Sequence, residues 1–203
     1  MRDCLIIGLA NVGKTQFALA LAQYLGLDRV EAVFTYPDGV RVRHHYQLDE
    51  AFRELVGTSA HKTRSLITLS LDLHVGKAVK QVRLSDSAGL TDKIHEVPEI
   101  RQAMAQTLRE VRHADMIIHV FDAERVGLAP SDEGSIALVD RQLANYARLR
   151  GGYLMIANKM DLAHAAQGLT RLRQAFPEQL ILPVSALQKK GLKEVKAVVA
   201  RSV

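Results

Sequence analysis

Cysteine and tryptophan are almost missing from this sequence: one Cys, no Trp, and aromatic residues at only 5% of 203 residues. A lone cysteine cannot close an internal disulfide, which excludes a disulfide-stapled scaffold. Cys4 stands in the run Cys4-Leu5-Ile6-Ile7 and reads as a small buried hydrophobe rather than a reactive thiol. No apolar run approaches the roughly 18 residues that a membrane span needs. The apolar start is too short for a signal peptide and runs straight into a Gly-Lys-Thr turn, so a cytoplasmic protein without a membrane span is expected. Repeats, low-complexity tracts and Pro/Ser-rich linkers are missing as well, and residues 1–203 are expected to form a single domain.

What is present has an ordinary globular balance, 48% apolar and 24% charged, against disorder. The net charge of +5 permits contact with nucleic acid or an anionic surface without requiring it. Five basic side chains (Lys62, Arg64, Lys77, Lys80, Arg83) fall between His61 and Arg83, against the single acid Asp72.

Short apolar runs alternate with amphipathic stretches, the pattern of an α/β sheet with helices on both faces. Strands are expected at Cys4–Gly8, Ser65–Leu73, Ala78–Leu84, Met116–Phe121, Tyr153–Ala157 and Leu180–Val184, a mostly parallel six-stranded sheet. Helices are expected at 14–25, 98–112, 133–149, 168–176 and 192–201. Residues 29–57 are an atypical segment of that domain, a hairpin (30–36 and 40–46) around Pro37-Asp38-Gly39 followed by a short helix at 49–56. Ligand sites in such sheets lie at the C-terminal ends of the strands.

The motifs fall at those ends. Gly8-Leu9-Ala10-Asn11-Val12-Gly13-Lys14-Thr15 fits G-x-x-x-x-G-K-[ST] between a strand and a helix. Its glycines let backbone N–H groups and the helix N-terminus approach phosphate oxygens. Asn11, Val12, Gly13, Lys14, Thr15 and Gln16 are the expected phosphate-binding residues, with Lys14 neutralising β- and γ-phosphate charge and Thr15 ligating Mg²⁺. Asp86-Ser87-Ala88-Gly89 follows the next core strand; Asp86 can hold the metal and Gly89 can offer its N–H to the γ-phosphate. Asn158-Lys159-Met160-Asp161 selects the base: the Asp161 carboxylate can accept from guanine N1–H and N2–H₂, donors that adenine lacks. Asn158 is expected to tie back to the Gly-rich loop, and the Lys159 stem to lie over the ring. Ser185-Ala186-Leu187 follows the last strand, with the Ala186 N–H toward guanine O6. His44-His45 reads as a solvated hairpin, and Asp122 and Glu124 as loop acids near the nucleotide.

In this order these four segments resemble the Ras-like superfamily of P-loop GTPases, and most nearly its bacterial Era and tRNA-modification GTPase branch. Asn-Val-Gly-Lys in the loop, Asp-Ser-Ala-Gly-Leu, and Thr63-Arg64 before a strand carry that likeness, with 29–57 the least matched part. The resemblance implies a three-layer P-loop GTPase fold, GTP/GDP and Mg²⁺ as ligands, and a switch that hydrolyses GTP slowly. It also implies a switch-I threonine that senses the γ-phosphate and completes the metal shell. Thr58, Ser59 and Thr63 are the candidates, and Thr63 is chosen because Arg64 follows it. Leu90 stands where Ras-type enzymes carry a water-positioning Gln. Asn11 stands where the tRNA-modification relatives help to hold K⁺; a turn residue with a tolerated φ is the equal alternative. Lys14, Thr63, Gly89 and Asn11 are thus the catalytic candidates, and Thr15, Thr63 and Asp86 the metal candidates. A nucleotide-bound interaction module with negligible turnover is the alternative suggested by Leu90. The expected partners are a guanine nucleotide and a protein reading the switches, with RNA or the ribosome left open. Asn158–Asp161 argues against an adenylate or nucleoside kinase.

Overall fold

The computed structural model describes residues 1–57, 65–91, 96–130, 134–149 and 152–202. Its centre is a run of strands apolar along nearly their whole length: β1 (Arg2–Ile7), β6 (Met116–Asp122) and β7 (Tyr153–Asn158). Residues 116–121 are all buried, as expected of strands covered on both faces. β1 pairs in parallel with β6 and with β5 (Ala78–Asp86). β6 continues in parallel to β7, and β7 to the short β8 (Ile181–Pro183).

The other half of the sheet is antiparallel. β4 (Leu66–Val75) alternates buried and exposed residues and pairs antiparallel with β5. Here the sequence reading of six strands is corrected: the hairpin β2 (Arg29–Thr35) and β3 (Arg41–Gln47) also joins the sheet. β2 docks antiparallel on β4, giving, among the described residues, eight strands in the order β3-β2-β4-β5-β1-β6-β7-β8. The reason lies in register: Ala32–Thr35 pair with Leu66–Leu69, and Val30 and Ala32 are buried among the apolar residues of β4. The turn at 36–40 closes as read, with Gly39 at φ 91° and the Asp38 carboxylate accepting from the Val40 N–H at 3.0 Å.

One face is covered by α1 (Lys14–Tyr24), α2 (Leu48–Leu55) and α7 (Leu192–Ser202), packed around Phe17, Leu21, Leu69 and Val195. The other is covered by α3 (Pro98–Val111), α5 (Leu138–Ala147) and α6 (Ala165–Ala175). Pro98 occupies the first turn of α3, where its missing N–H costs nothing.

One element was not expected: α4 (Ala123–Leu128), directly after β6. It is too short for helical periodicity to show. It is held by close backbone packing on α6, since a Cβ on Gly127 would lie 2.1 Å from the His164 carbonyl and one on Gly168 1.8 Å from that of Ala123. Arg171 then donates to the carbonyls of Val126, Gly127 and Ala129 at the end of α4. The helix expected at 133–149 is correspondingly shorter and starts at Leu138, after Gly134.

Candidate functional site

The C-terminal ends of β1, β5, β6 and β7 converge on one edge of the sheet. β1 leaves through Gly8 at φ 142°, where a side chain would strike the Val120 carbonyl at 2.3 Å. The loop turns at Asn11 (φ 63°) and Gly13 (φ 91°), both left-handed, and enters α1. A left-handed residue with a side chain costs about 1–2 kcal/mol, so Asn11 reports a loop shape imposed by its surroundings. Gly13 cannot be replaced, because its Cβ would sit 2.5 Å from Asn158 Nδ2.

That contact belongs to the tie expected between the two loops. Asn158 Nδ2 donates to the Val12 carbonyl at 2.9 Å, and Asn158 Oδ1 accepts from the Ala186 N–H at 3.0 Å. Asn158 therefore joins the Gly-rich loop to the Ser185-Ala186 turn. The Ala186 amide, read as facing the base, makes this internal bond instead. Ser185 Oγ donates to Asp161 Oδ1 at 2.5 Å and accepts from the Gln188 N–H at 3.0 Å. Lys159, left-handed at φ 65°, pairs through Nζ with Asp122 Oδ2 at 2.6 Å. Asp122 caps α4 with its other oxygen, and Glu124 clasps His164 through both the ring Nδ1 (2.8 Å) and the backbone N–H (2.6 Å). The two acids read as loop residues thus tie α4 to Lys159 and to the start of α6. Their pairing had no signal in the sequence beyond nearness to a strand end.

At the other end of the site Lys14 is buried, and its Nζ donates to the carbonyls of Gly8 (3.2 Å) and Leu9 (2.8 Å). Burial lowers its pKa, opposed by the charges of Asp86 and then Asp140. Thr15 Oγ1 donates to Asp86 Oδ2 at 2.5 Å. Burial pushes the Asp86 carboxyl up to about 6, with Lys14 and Thr15 pulling the other way. Its second oxygen, Oδ1, is enclosed and has no hydrogen-bond partner. An orphaned carboxylate oxygen beside a threonine hydroxyl is a hard-oxygen donor set, and it fits Mg²⁺. Gly89 lies flat on the Gly-rich loop, where a Cβ would meet Ala10 Cα at 2.6 Å. Leu90 is 1% exposed, in the core with Leu5, Ile7 and Val111, and its N–H donates to the Gly8 carbonyl at 3.1 Å. Gln16 follows Thr15 in the first turn of α1. Thr58, Ser59 and Thr63 lie outside the described residues.

The basic run before Arg83 is partly spent inside the fold. Arg83 pairs with Asp3, and Lys80 donates to the Ala200 carbonyl at 3.0 Å. Cys4 is buried, and burial first, then Asp115 and Asp3, push its thiol up to about 12, so it is the inert hydrophobe expected. His44 lies on the exposed strand β3 beside Phe34 and Tyr46.

Residues 3–159 match the family model described as 50S ribosome-binding GTPase. Over 119 residues the chain is 29% identical to GTPase Obg of Shouchella clausii, covering 58% of this chain and 27% of that protein. It therefore spans about a quarter of the length of this curated relative. The structure of Era with MgGDPNP and nucleotides 1506–1542 of 16S ribosomal RNA superposes with a TM-score of 0.66 at 18% identity, covering 99% of this chain and 56% of Era. The cytosolic domain of L. pneumophila FeoB gives a TM-score of 0.60 at 19% identity, covering 98% of this chain and 68% of that one. At these identities the two structures speak for the fold alone. Among the described residues no helix is long and apolar enough to cross a membrane.

Proposed function

Since this chain belongs to the family of 50S ribosome-binding GTPases, we propose that it binds GTP and GDP with Mg²⁺, hydrolyses GTP slowly, and acts as a nucleotide-dependent switch. The observation that carries the reading is the Asn158 clasp, which holds the Gly-rich loop and the Asp161–Ser185 turn in one rigid unit. Phosphate-binding and base-reading groups are thereby fixed at a set distance before a ligand arrives, which lowers the ordering cost of binding. Asp161 keeps Oδ2 for the guanine edge while Ser185 orients Oδ1. An adenine base would leave that carboxylate unpaired.

At the phosphate end, Lys14 would exchange its two carbonyl partners for phosphate oxygens, a stronger, charge-assisted contact. Asp86 and Thr15 would hold Mg²⁺, whose charge would offset that developing on the phosphoryl oxygens. With Leu90 turned into the core, no side chain at that position orients the attacking water, so turnover without an activator is slow. Burial of Leu90 is also what favours the second reading, a nucleotide-bound module with negligible turnover. An RNA or ribosomal partner, as in the Era complex, belongs to the same proposal, and a partner protein would read the switch segments. A cytoplasmic location follows from this role.

The test is calorimetry with GDP, GTP and ATP, followed by single-turnover hydrolysis and co-sedimentation with ribosomal subunits. Guanine nucleotides are expected to bind far more tightly than ATP. Equal affinities would sink the guanine reading, and zero turnover in every salt and with ribosomes would leave the interaction module.

A further inference from the structure

Beside the phosphate loop lies a cavity of about 530 Å³ between Leu9 and Val12, helix α4, Lys159 and the first turn of α5. Leu9, Val12, Val126, Ile136 and Leu162 make its sides aliphatic, and Asp140 contributes a carboxylate to its wall. Asp140 is 3% exposed. Its Oδ1 lies 2.9 Å from His119 Nε2, and His119 Nδ1 lies 2.8 Å from the Tyr153 hydroxyl. The assignment that satisfies every atom gives Nε2 the proton, donated to Asp140, and lets Nδ1 accept from the Tyr153 O–H. Burial and the Asp140 charge raise the Tyr153 pKa, which keeps that hydroxyl a donor. This chain runs β7 to β6 to α5 and ends on Asp140.

A carboxylate placed only to satisfy a core histidine would have its other oxygen satisfied too. Among the described residues Asp140 Oδ2 has no hydrogen-bond partner, and it is not one of their enclosed unsatisfied atoms, Gln23 Oε1 and Asp86 Oδ1. It therefore opens on the cavity. The other acids of its described lining are paired, Asp122 with Lys159 and Glu124 with His164; of its two cations Lys159 is held by Asp122 and Arg125 is exposed at the rim. One buried, pre-oriented carboxylate at the wall of an aliphatic pocket is the complement of a cation carried on an apolar stem.

We propose that this cavity is a second ligand site, which takes an alkyl guanidinium or ammonium group on Asp140, its stem along Leu9, Val126 and Ile136. The group would come from a free amine or from a partner's Arg or Lys side chain. The His119–Tyr153 pair positions the carboxylate. Asp161 and Asp86 lie outside its lining, while Val12 and Lys159 border it from the nucleotide side, so the site is read in nucleotide-free protein and does not depend on whether the chain binds GTP.

The test titrates agmatine, a guanidinium and an amine on a four-carbon stem, into the full chain, with the His119 ring resonances followed by NMR. Saturable binding that shifts His119 is expected, and Asp140→Asn should weaken it at least about tenfold, the loss of a charge-assisted contact. The thermal unfolding midpoint of the same variant, without nucleotide, reports whether it has folded. If Asp140→Asn proves unstable, Leu128→Trp, at an exposed rim residue, is expected to block agmatine by bulk alone. A pentapeptide with a central Arg between glycines separates the sources: its binding points to a partner's side chain, and agmatine binding alone to a free amine. The site is overturned if neither probe binds, if Asp140→Asn binds agmatine as tightly as the wild type, or if neutral n-butanol competes equally.

Discussion

The two ends of the ligand face are built differently. At the base end nearly every polar group has its partner within the protein: Asn158 bonds Val12 and Ala186, Asp161 bonds Ser185, and Lys159 bonds Asp122. At the phosphate end the groups are provisional. Lys14 rests on two carbonyls, Asp86 Oδ1 has no partner, and its carboxyl is pushed up to about 6. The base end is thus shaped by the fold, while the phosphate end carries unmet charge that a ligand would satisfy. Affinity should then be most sensitive at the second and selectivity at the first.

The sharpest way to break this contrast is at Lys14. Lys14→Ala removes the buried cation of the phosphate end and is expected to weaken GDP by about two to three orders of magnitude, the usual cost of one partner in a buried charge pair. Calorimetry reads it directly. A change below about fivefold, some 1 kcal/mol, would mean that the base end carries the affinity instead.

The next effect separates selectivity from affinity. Asp161→Asn leaves the Ser185 bond and the Asn158 clasp in place but turns one acceptor into a donor. Guanine binding should fall by about 2–3 kcal/mol while xanthine nucleotides, with a carbonyl at C2, gain. If GDP and XDP lose equally, the residue supports the loop rather than reading the base.

Much of this was legible from the sequence because each motif combines unusual residue types at fixed spacing with a strand end. Gly13 illustrates why: its backbone φ and its contact with Asn158 each exclude a side chain. The parallel strands were legible too, since burial on both faces leaves them apolar throughout. What escaped has no local signature. Docking of the 29–47 hairpin on β4 depends on pairing across more than thirty residues, and its alternation of polar and apolar residues fits a free hairpin equally well. α4 is held by Gly127 against Gly168 and by Arg171, contacts some forty residues apart in the chain. The same holds for Asp122 with Lys159, and for His119 with Asp140 and Tyr153, whose partners come from different elements.

A smaller effect probes the unmet charge itself. Because burial raises the Asp86 pKa to about 6, its carboxyl keeps a proton below that pH, and Mg²⁺ must displace it. The gain in GDP affinity on adding Mg²⁺ should therefore be full near pH 7.5 and fall about tenfold for each pH unit below about 6. The phosphates of GDP titrate in the same range, so the comparison is with Asp86→Asn, which should lose most of the Mg²⁺ gain at every pH. A wild-type profile that stays flat from pH 5 to 7.5 would show that Asp86 does not hold the metal.

The smallest effect is the one with most mechanism in it. A transferring phosphoryl group needs positive charge between the leaving and transferred oxygens. Lys14 and Mg²⁺ would supply part, and Leu90, facing the core, supplies no help to the water. Asn11 is exposed at the crest of the phosphate loop in a left-handed turn. That conformation is what the turn-residue reading requires, while the exposed side chain carries an amide oxygen with which nucleotide oxygens could complete a monovalent cation shell. K⁺ is then expected to raise single-turnover hydrolysis severalfold over Na⁺ at equal ionic strength, with Asn11→Ala erasing the difference. GDP affinity should barely change in that variant, because the backbone N–H groups, Lys14 and the Asn158 clasp remain. Asn11→Gly separates the two roles, since glycine keeps the left-handed turn without strain and removes only the oxygen. Loss of the K⁺ effect in both variants assigns it to that oxygen; retention in Asn11→Gly assigns Asn11 to the turn. Equal rates in K⁺ and Na⁺ for the wild type would remove the ion from the account and leave an external activator to supply the missing charge.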